Sequence, residues 1–276
     1  MQKGCIRHKA LEVEKMNYIK KIDKFIKKVE EKENINVLVK DLTYDTNIYN
    51  YNENDIYVSA STIKLPIMLA ILDYVHKNNI SLGTYIKIDK TDITEDNKCF
   101  NKGRYQYSII ELIIWMITIS DNSATNVLIK YLGFENINKY FKKIRLEDTK
   151  LERYMLDEDA IKNGKNNYTS LVDMYKCFEY LVKEEILTES MCRLALSILY
   201  KQKRNNQINR YIKNVKFAHK TGSIDYLNSD VGIFSLNDKI YFIGISIYNC
   251  PRKNADRKSV GKLSKMIYKN IKENNL

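Results

Sequence analysis

Strand-forming runs lie near both ends of this chain with a long helical stretch between them, and that order restricts the fold more than any other feature. Residues 17–33, NYIKKIDKFIKKVEEKE, space Ile19, Ile22, Phe25, Ile26 and Val29 along one face of an amphipathic helix. The β-branched run INVLVKDL follows, then a polar turn at 43–47 and a weaker strand at 48–51, which together predict a hairpin. From residue 61 to about 200 the periodicity is helical. LPIMLAILDYVHKNN opens this block, and helices are predicted over 109–119, 122–131, 137–144, 171–184 and 189–199. Strand signals return in VKFAHKTGS, DVGIFSL and KIYFIGISIYN, and a helix over 258–271 closes the chain. The expected architecture is α/β of the segregated α+β kind: a five-stranded antiparallel sheet flanked by terminal helices, with an inserted all-helical domain. Residues 17–60 with 208–276 would form the sheet domain and 61–207 the helical domain. Residues 1–16 would be a poorly defined N-terminal extension. A functional site is expected at the seam between the two domains. Pro66 and Pro251 are the two prolines, and neither a low-complexity linker nor an internal repeat interrupts the pattern.

Three short motifs fall at boundaries of this pattern. Ser61-Thr62-Ile63-Lys64 ends an extended segment and opens an apolar helix. One helical turn brings the lysine amine to the face that carries the serine hydroxyl. A lysine buried near a second cation loses proton affinity and can act as a base, while a helix N-terminus favours negative charge developing on the serine. Capping alone would also account for a serine here. Ser120-Asp121-Asn122 lies between two apolar helices, presenting a hydroxyl and an amide at a loop. Lys220-Thr221-Gly222 sits on a strand, where the glycine removes a side chain so that a substrate backbone can approach. A second SxxK, Ser259-Val260-Gly261-Lys262, lies in a polar helix and is read as incidental. Each motif is common singly. Their order and their settings together specify a serine nucleophile, an amine base and a polar wall, which is acyl-transfer chemistry.

Composition narrows the alternatives. With 46 Lys and Arg against 34 Asp and Glu, the formal charge is +12. No basic block interleaves with aromatics, so nucleic acid is not an expected partner, and the lysines read as solvated faces. The hydrophobic fraction of 44% supports a core, yet no stretch approaches the ~20 apolar residues of a membrane span. Five scattered cysteines (Cys5, Cys99, Cys177, Cys192 and Cys250) form no CxxC, and His8, His76 and His219 do not stand at ligand spacing. Neither a metal site nor a cofactor is expected. MQKGCIRHKALEVEKMNYIKK shows no apolar leader core, and Met1-Gln2-Lys3 before Gly4-Cys5 is no lipobox. As it stands the chain reads as cytoplasmic, or as extracytoplasmic if a leader has been removed. A monomer is expected.

The three motifs resemble those of class A β-lactamases and related penicillin-binding proteins. The resemblance extends from about residue 17 to the C-terminus through VSASTIKLPIMLAIL, SDNSATNVLIKYLG and HKTGSIDY. It implies that Ser61 is acylated, that Lys64 takes its proton and that Ser120 relays a proton to the leaving nitrogen. It also implies that Asn122 holds the substrate's amide side chain and that Lys220 and Thr221 bind its carboxylate, Lys220 helping keep the Lys64 pKa low. Ser223, after Gly222, would donate its backbone N–H to an oxyanion hole together with that of Ser61. The departure lies in the loop 151–169, where Leu151-Glu152-Arg153-Tyr154 sets the register. The next position should be the glutamate that activates the deacylating water, and here it is Met155, followed by Leu156 in place of the usual proline. Asp157, Glu158 and Asp159 stand close enough to substitute in a rearranged loop. His219 reads as a strand-packing residue, so no triad histidine is available.

The resulting expectation is a serine hydrolase that forms an acyl-enzyme with β-lactams or D-Ala-D-Ala-like peptide amides and deacylates slowly. A penicillin-binding D-Ala-D-Ala carboxypeptidase and an intracellular esterase or amidase are the alternatives. A β-lactam-acylated sensor is the alternative outside enzymes.

Overall fold

The computed structural model describes residues 2–101, 103–250 and 257–274, with side chains from residue 16 onward. Cys5, His8 and Pro251 therefore lie outside the described side chains, as do most residues of the expected N-terminal extension. Helix α1 (Gln2–Glu30) leads into β1 (Asn34–Asp41) and β2 (Thr46–Tyr51), the predicted hairpin, with a register shift between Val39 and Lys40. Short β3 (Tyr57–Val58) precedes a 3₁₀ turn, Ala60–Ile63, which runs directly into α2 (Lys64–Lys77). A small hairpin, β4 (Tyr85–Lys87) with β5 (Gln106–Ser108), was not legible in the sequence pattern. The helical block continues with α3 (Ile109–Thr118), α4 (Asn122–Leu132), α5 (Phe134–Lys143) and one-turn α6 (Glu158–Lys162). Then come β6 (Tyr168–Thr169), α7 (Leu171–Lys183) and α8 (Glu189–Leu199). The last three long strands, β7 (Phe217–Ile224), β8 (Leu227–Leu236) and β9 (Lys239–Tyr248), precede α9 (Arg257–Glu273).

The principal sheet is five-stranded and antiparallel throughout, as the sequence predicted, and its order is β2-β1-β9-β8-β7. Chain-terminal pieces thus meet at its centre, with β1 paired along its whole length to β9. Both faces are covered. On one, Ile22 and Ile26 of α1 and Val260, Leu263 and Ile267 of α9 pack on Val37, Ile243 and Ile245. On the other, Phe242, Val231 and Ala218 join the core of α2, α3, α4 and α7, so sheet and helical block share one continuous core. Gly244 makes this closeness possible: a Cβ there would stand 3.1 Å from the Leu171 side chain at the start of α7.

Helix ends follow the polar residues at their boundaries. Ser108 and Glu111 form a reciprocal capping box on α3, Asp121 caps α4, and Ser170 caps α7. Among the described residues no helix is long and apolar enough to cross a membrane. Ser259 and Lys262 of the second SxxK lie on α9, on the sheet face opposite the helical block.

Candidate active site

The three motifs, far apart in sequence, converge where β7 meets the start of α2. Strand β7 is the free edge of the sheet, so alternate N–H groups along it have no partner in the ladder. The 3₁₀ turn bearing Ser61 packs directly on this edge: a Cβ on Gly222 would stand 2.9 Å from Ser59 O and 3.2 Å from Thr62 N. The glycine was expected to admit a substrate backbone. It admits the backbone of the turn that bears Ser61, and thereby sets the distance between the first and third motifs.

Ser61 is half-buried, and its hydroxyl is not spent on a helix cap. The cap positions of the turn and of α2 are Ser59 and Ile63, neither of which makes a side-chain cap bond. The residue before Ser61, Ala60, has φ +45°, and Ser120 has φ +61°. Non-glycine residues in the left-handed region carry local strain, and here two of them flank the same cleft.

Ser120 is the meeting point. Its Oγ receives Lys64 Nζ at 3.2 Å and Lys220 Nζ at 3.1 Å. Lys64 Nζ also donates to Ser120 O at 2.9 Å and to Asn122 Oδ1 at 2.7 Å, and Lys220 Nζ to Thr221 O at 2.8 Å. The amine of Lys64 was expected to reach the Ser61 hydroxyl. It is turned toward the second motif, and among the described residues no hydrogen bond joins it to Ser61 Oγ. Carbonyl and amide acceptors clustered at residues 120–122 draw it there.

Both amines are fully buried. Burial lowers the Lys64 pKa to about 7, with the nearby Arg204 guanidinium pushing the same way and Asp121 and Asp96 opposing. Lys220 is held well below the usual lysine range by burial first, then by Lys64 and Arg204. Two buried ammonium groups that share one hydroxyl repel, which disfavours charging both at once. For Lys64, desolvation is thus the main cause of the shift, and the cation that adds to it is Arg204, which the sequence reading did not single out. No spacing pattern links residues 64 and 204. A lone arginine in a polar loop carries no signal of its own.

Strand β7 separates its residues by side. Lys220, with Ala218 and Ile224, faces the helical block, whereas His219 lies with Phe217 on the terminal-helix side. His219 is buried there, with Nδ1 2.9 Å from Asp230 Oδ1 and Nε2 3.2 Å from Asn205 Oδ1. It packs and anchors, as expected. Thr221 is buried beside Lys220. The Ser223 hydroxyl donates to Asn228 Oδ1 at 2.8 Å and accepts from Gln207 Nε2 at 3.0 Å, which leaves its backbone as what it could offer the cleft.

The loop 151–169 closes the other side. Ser59 N and Oγ both donate to Asn167 O, and β3 pairs with β6, so the loop's far end is stitched to the segment that leads into Ser61. Its neck is tied by Asn167 Oδ1, which accepts from Glu152 N and Arg153 N, and by Arg153 Nε donating to Asn166 Oδ1. Met155 is buried, and Asn126 of α4 grips its backbone in both directions: Met155 N donates to Oδ1 at 2.7 Å, and Nδ2 donates to Met155 O at 3.1 Å. Of the three carboxylates nearby, Asp157 caps α6 and Asp159 pairs with Lys162 at 3.2 Å. A cavity of about 1030 Å³ opens between this loop and residues 91–96. It reaches the motifs through Asp96, a second residue the sequence reading passed over, whose Oδ2 accepts from Asn122 Nδ2 at 2.8 Å.

Residues 17–271 match the Beta-lactamase enzyme family. A β-lactamase of Bacteroides uniformis is 22% identical over 240 residues, covering 79% of this chain and 80% of its own. The structure of PBP-A superposes with a TM-score of 0.83 at 24% identity, over 93% of this chain and 96% of the other. A PBP-A mutant determined as an acyl-enzyme complex with penicillin G gives 0.84 at 23% identity, over 94% and 97%. The fold is therefore that of the class A β-lactamases and PBP-A, and the chain belongs to the Beta-lactamase enzyme family as a β-lactamase-like hydrolase.

Proposed function

We propose that the protein is a serine hydrolase that acylates rapidly at Ser61 and deacylates slowly, with β-lactams or D-Ala-D-Ala-like amides as substrates. The site lies at the seam between residues 17–60 with 208–276 and residues 61–207. The observation that carries the reading is the single Ser120 hydroxyl shared by two buried amines beside the nucleophile turn.

Neutral Lys64, turning from its resting bonds to Ser120 and Asn122, takes the Ser61 proton as Oγ forms its bond to the substrate carbonyl carbon. The carbonyl oxygen takes the negative charge and points at the backbone N–H groups of Ser61 and Ser223 on the edge strand. Collapse of this intermediate breaks the C–N bond. The two amines occupy the acceptor positions of Ser120 Oγ, so its own proton remains to be given to the leaving nitrogen, and Lys64 replaces it. Lys220 and Thr221 hold the substrate's carboxylate, with Arg204 adding positive potential. Asn122 holds its acyl amide.

Deacylation needs a base for water. A thioether at residue 155 supplies none, and its two loop neighbours Asp157 and Asp159 are engaged in a cap and an ion pair. That a PBP-A mutant of the same fold is seen as a penicillin G acyl-enzyme supports adduct formation on this framework. The same missing base favours a D-Ala-D-Ala carboxypeptidase as the second reading, since such an enzyme shares the acylation machinery.

Mixing the protein with benzylpenicillin and following intact mass tests the reading, with nitrocefin turnover measured alongside. A stoichiometric adduct on wild type, none on Ser61→Ala, and slow turnover after the burst are expected. Fast steady turnover without a trapped adduct would mean that a base near Asp157, Glu158 or Asp159 has replaced the glutamate. An adduct mapped to Ser120 or Ser259 would remove Ser61 from the role.

A further inference from the structure

Asn122 is held from both sides. Its Oδ1 accepts from Lys64 Nζ at 2.7 Å and its Nδ2 donates to Asp96 Oδ2 at 2.8 Å. An amine donor on one side and a carboxylate on the other leave the amide one orientation. Asp96 is fixed in turn, its Oδ1 accepting from Thr94 Oγ1 at 2.7 Å. The carboxylate therefore takes one of the two N–H donors that Asn122 could offer an acyl carbonyl and borders the other.

A substrate carbonyl that takes the second N–H of Nδ2 stands beside the Asp96 carboxylate. An uncharged acyl chain then sets a carbonyl acceptor against a carboxylate and brings it no donor, which costs binding. An acyl chain with an ammonium group beside that carbonyl gives Asp96 a charge-assisted donor. The surroundings favour the same class of ligand. The chain as a whole carries +12, yet the cavity behind Asp96 is lined by six carboxylates, among them Glu95 and Asp157, against one lysine. That lysine, Lys130, is already paired with Asp92 at 2.9 Å and Asp89 at 3.6 Å.

We propose that Asp96 is a specificity-determining residue that selects acyl groups bearing a cation next to the amide carbonyl. This rests on the reading of Asn122 as the holder of the substrate's acyl amide.

Ampicillin and benzylpenicillin differ by one amine at this position and form the test. Adduct formation at Ser61 is timed by intact mass for wild type and Asp96→Asn, at a pH where the amine is protonated. Wild type should acylate about ten-fold faster with ampicillin, the scale of one charge-assisted hydrogen bond in a solvent-open site. In Asp96→Asn the ratio should fall to about one, and in wild type it should shrink at high salt. Equal rates in wild type, or a ratio that Asp96→Asn leaves unchanged, overturns the assignment. If neither penicillin forms an adduct, the β-lactam reading has failed, and two fluorophosphonates decide on Asp96. One carries a trimethylammonium tail and the other its isosteric tert-butyl analogue. A cationic preference abolished by Asp96→Asn upholds the assignment. Equal labelling, or no labelling of Ser61 by either, overturns it.

Discussion

In the cluster around Ser120, two buried amines converge on one hydroxyl, whereas in the loop 151–169 the polar side chains bond mainly to the loop's own backbone and to each other. The two regions border one cleft and are stitched together through Ser59 and Asn167. One concentrates groups of shifted proton affinity, which is what bond-making at a serine requires. The other spends its polarity on holding a shape. Under the proposed function, the contrast makes the acylating and hydrolysing halves of the site separable: the first would be complete while the second lacks its base.

The largest effect that would sharpen this contrast is expected at Lys64. Lys64→Ala should slow adduct formation by roughly the 10²–10⁴-fold that a general base contributes. In wild type the acylation rate should climb about ten-fold per pH unit below 7 and level off above it, because the neutral amine is the active form and its pKa is about 7. Stopped-flow acylation across pH checks both. An inflection that survives in Lys64→Ala would assign the titration to another group.

Next in size is Met155→Glu, which places a carboxylate in the loop whose backbone Asn126 already fixes. The lifetime of the penicillin adduct should drop by about 10²-fold, the lower end of what a general base contributes. Adduct formation should keep its rate. An unchanged lifetime would show that the loop does not aim residue 155 at the acyl carbonyl, and the separation of the two halves would then have another cause.

The smallest effect concerns Gly222→Ala. A methyl placed 2.9 Å from Ser59 O and 3.1 Å from Thr62 Cγ2 must push the nucleophile turn off β7. A stability loss of about 1–3 kcal/mol is expected, as for overpacking elsewhere, together with slower acylation. Thermal denaturation measures the first and adduct formation the second. Unchanged stability with weakened substrate binding alone would restore the original reading, in which the glycine makes room for substrate.

Much of the fold was legible because it follows local periodicity. The β-branched runs INVLVKDL and KIYFIGISIYN and the helical spacing in 109–119 and 189–199 appear within one or two residues of where the sequence puts them. The segregation of strand and helix signals was enough for the sheet and its helical insertion. Short pieces escaped: β4 and β5 have three residues each, too few for a period to show, and α6 is a single turn begun by Asp157. Met155 was visible because a motif register pointed at it.

By itself, then, the sequence determined which residue types stand at the proposed nucleophile, the polar wall and the edge strand, because each motif is a local string. It also determined that residue 155 cannot hold a proton. Tertiary structure alone decided what those groups do to one another. The pairing of Lys64 and Lys220 through Ser120, the pressure of Arg204 on both, the clamp of Asp96 on Asn122 and the use of Gly222 all join residues tens to more than a hundred positions apart. Electrostatics and close contact act through space over a few ångströms and have no period along the chain, so no local pattern announces them.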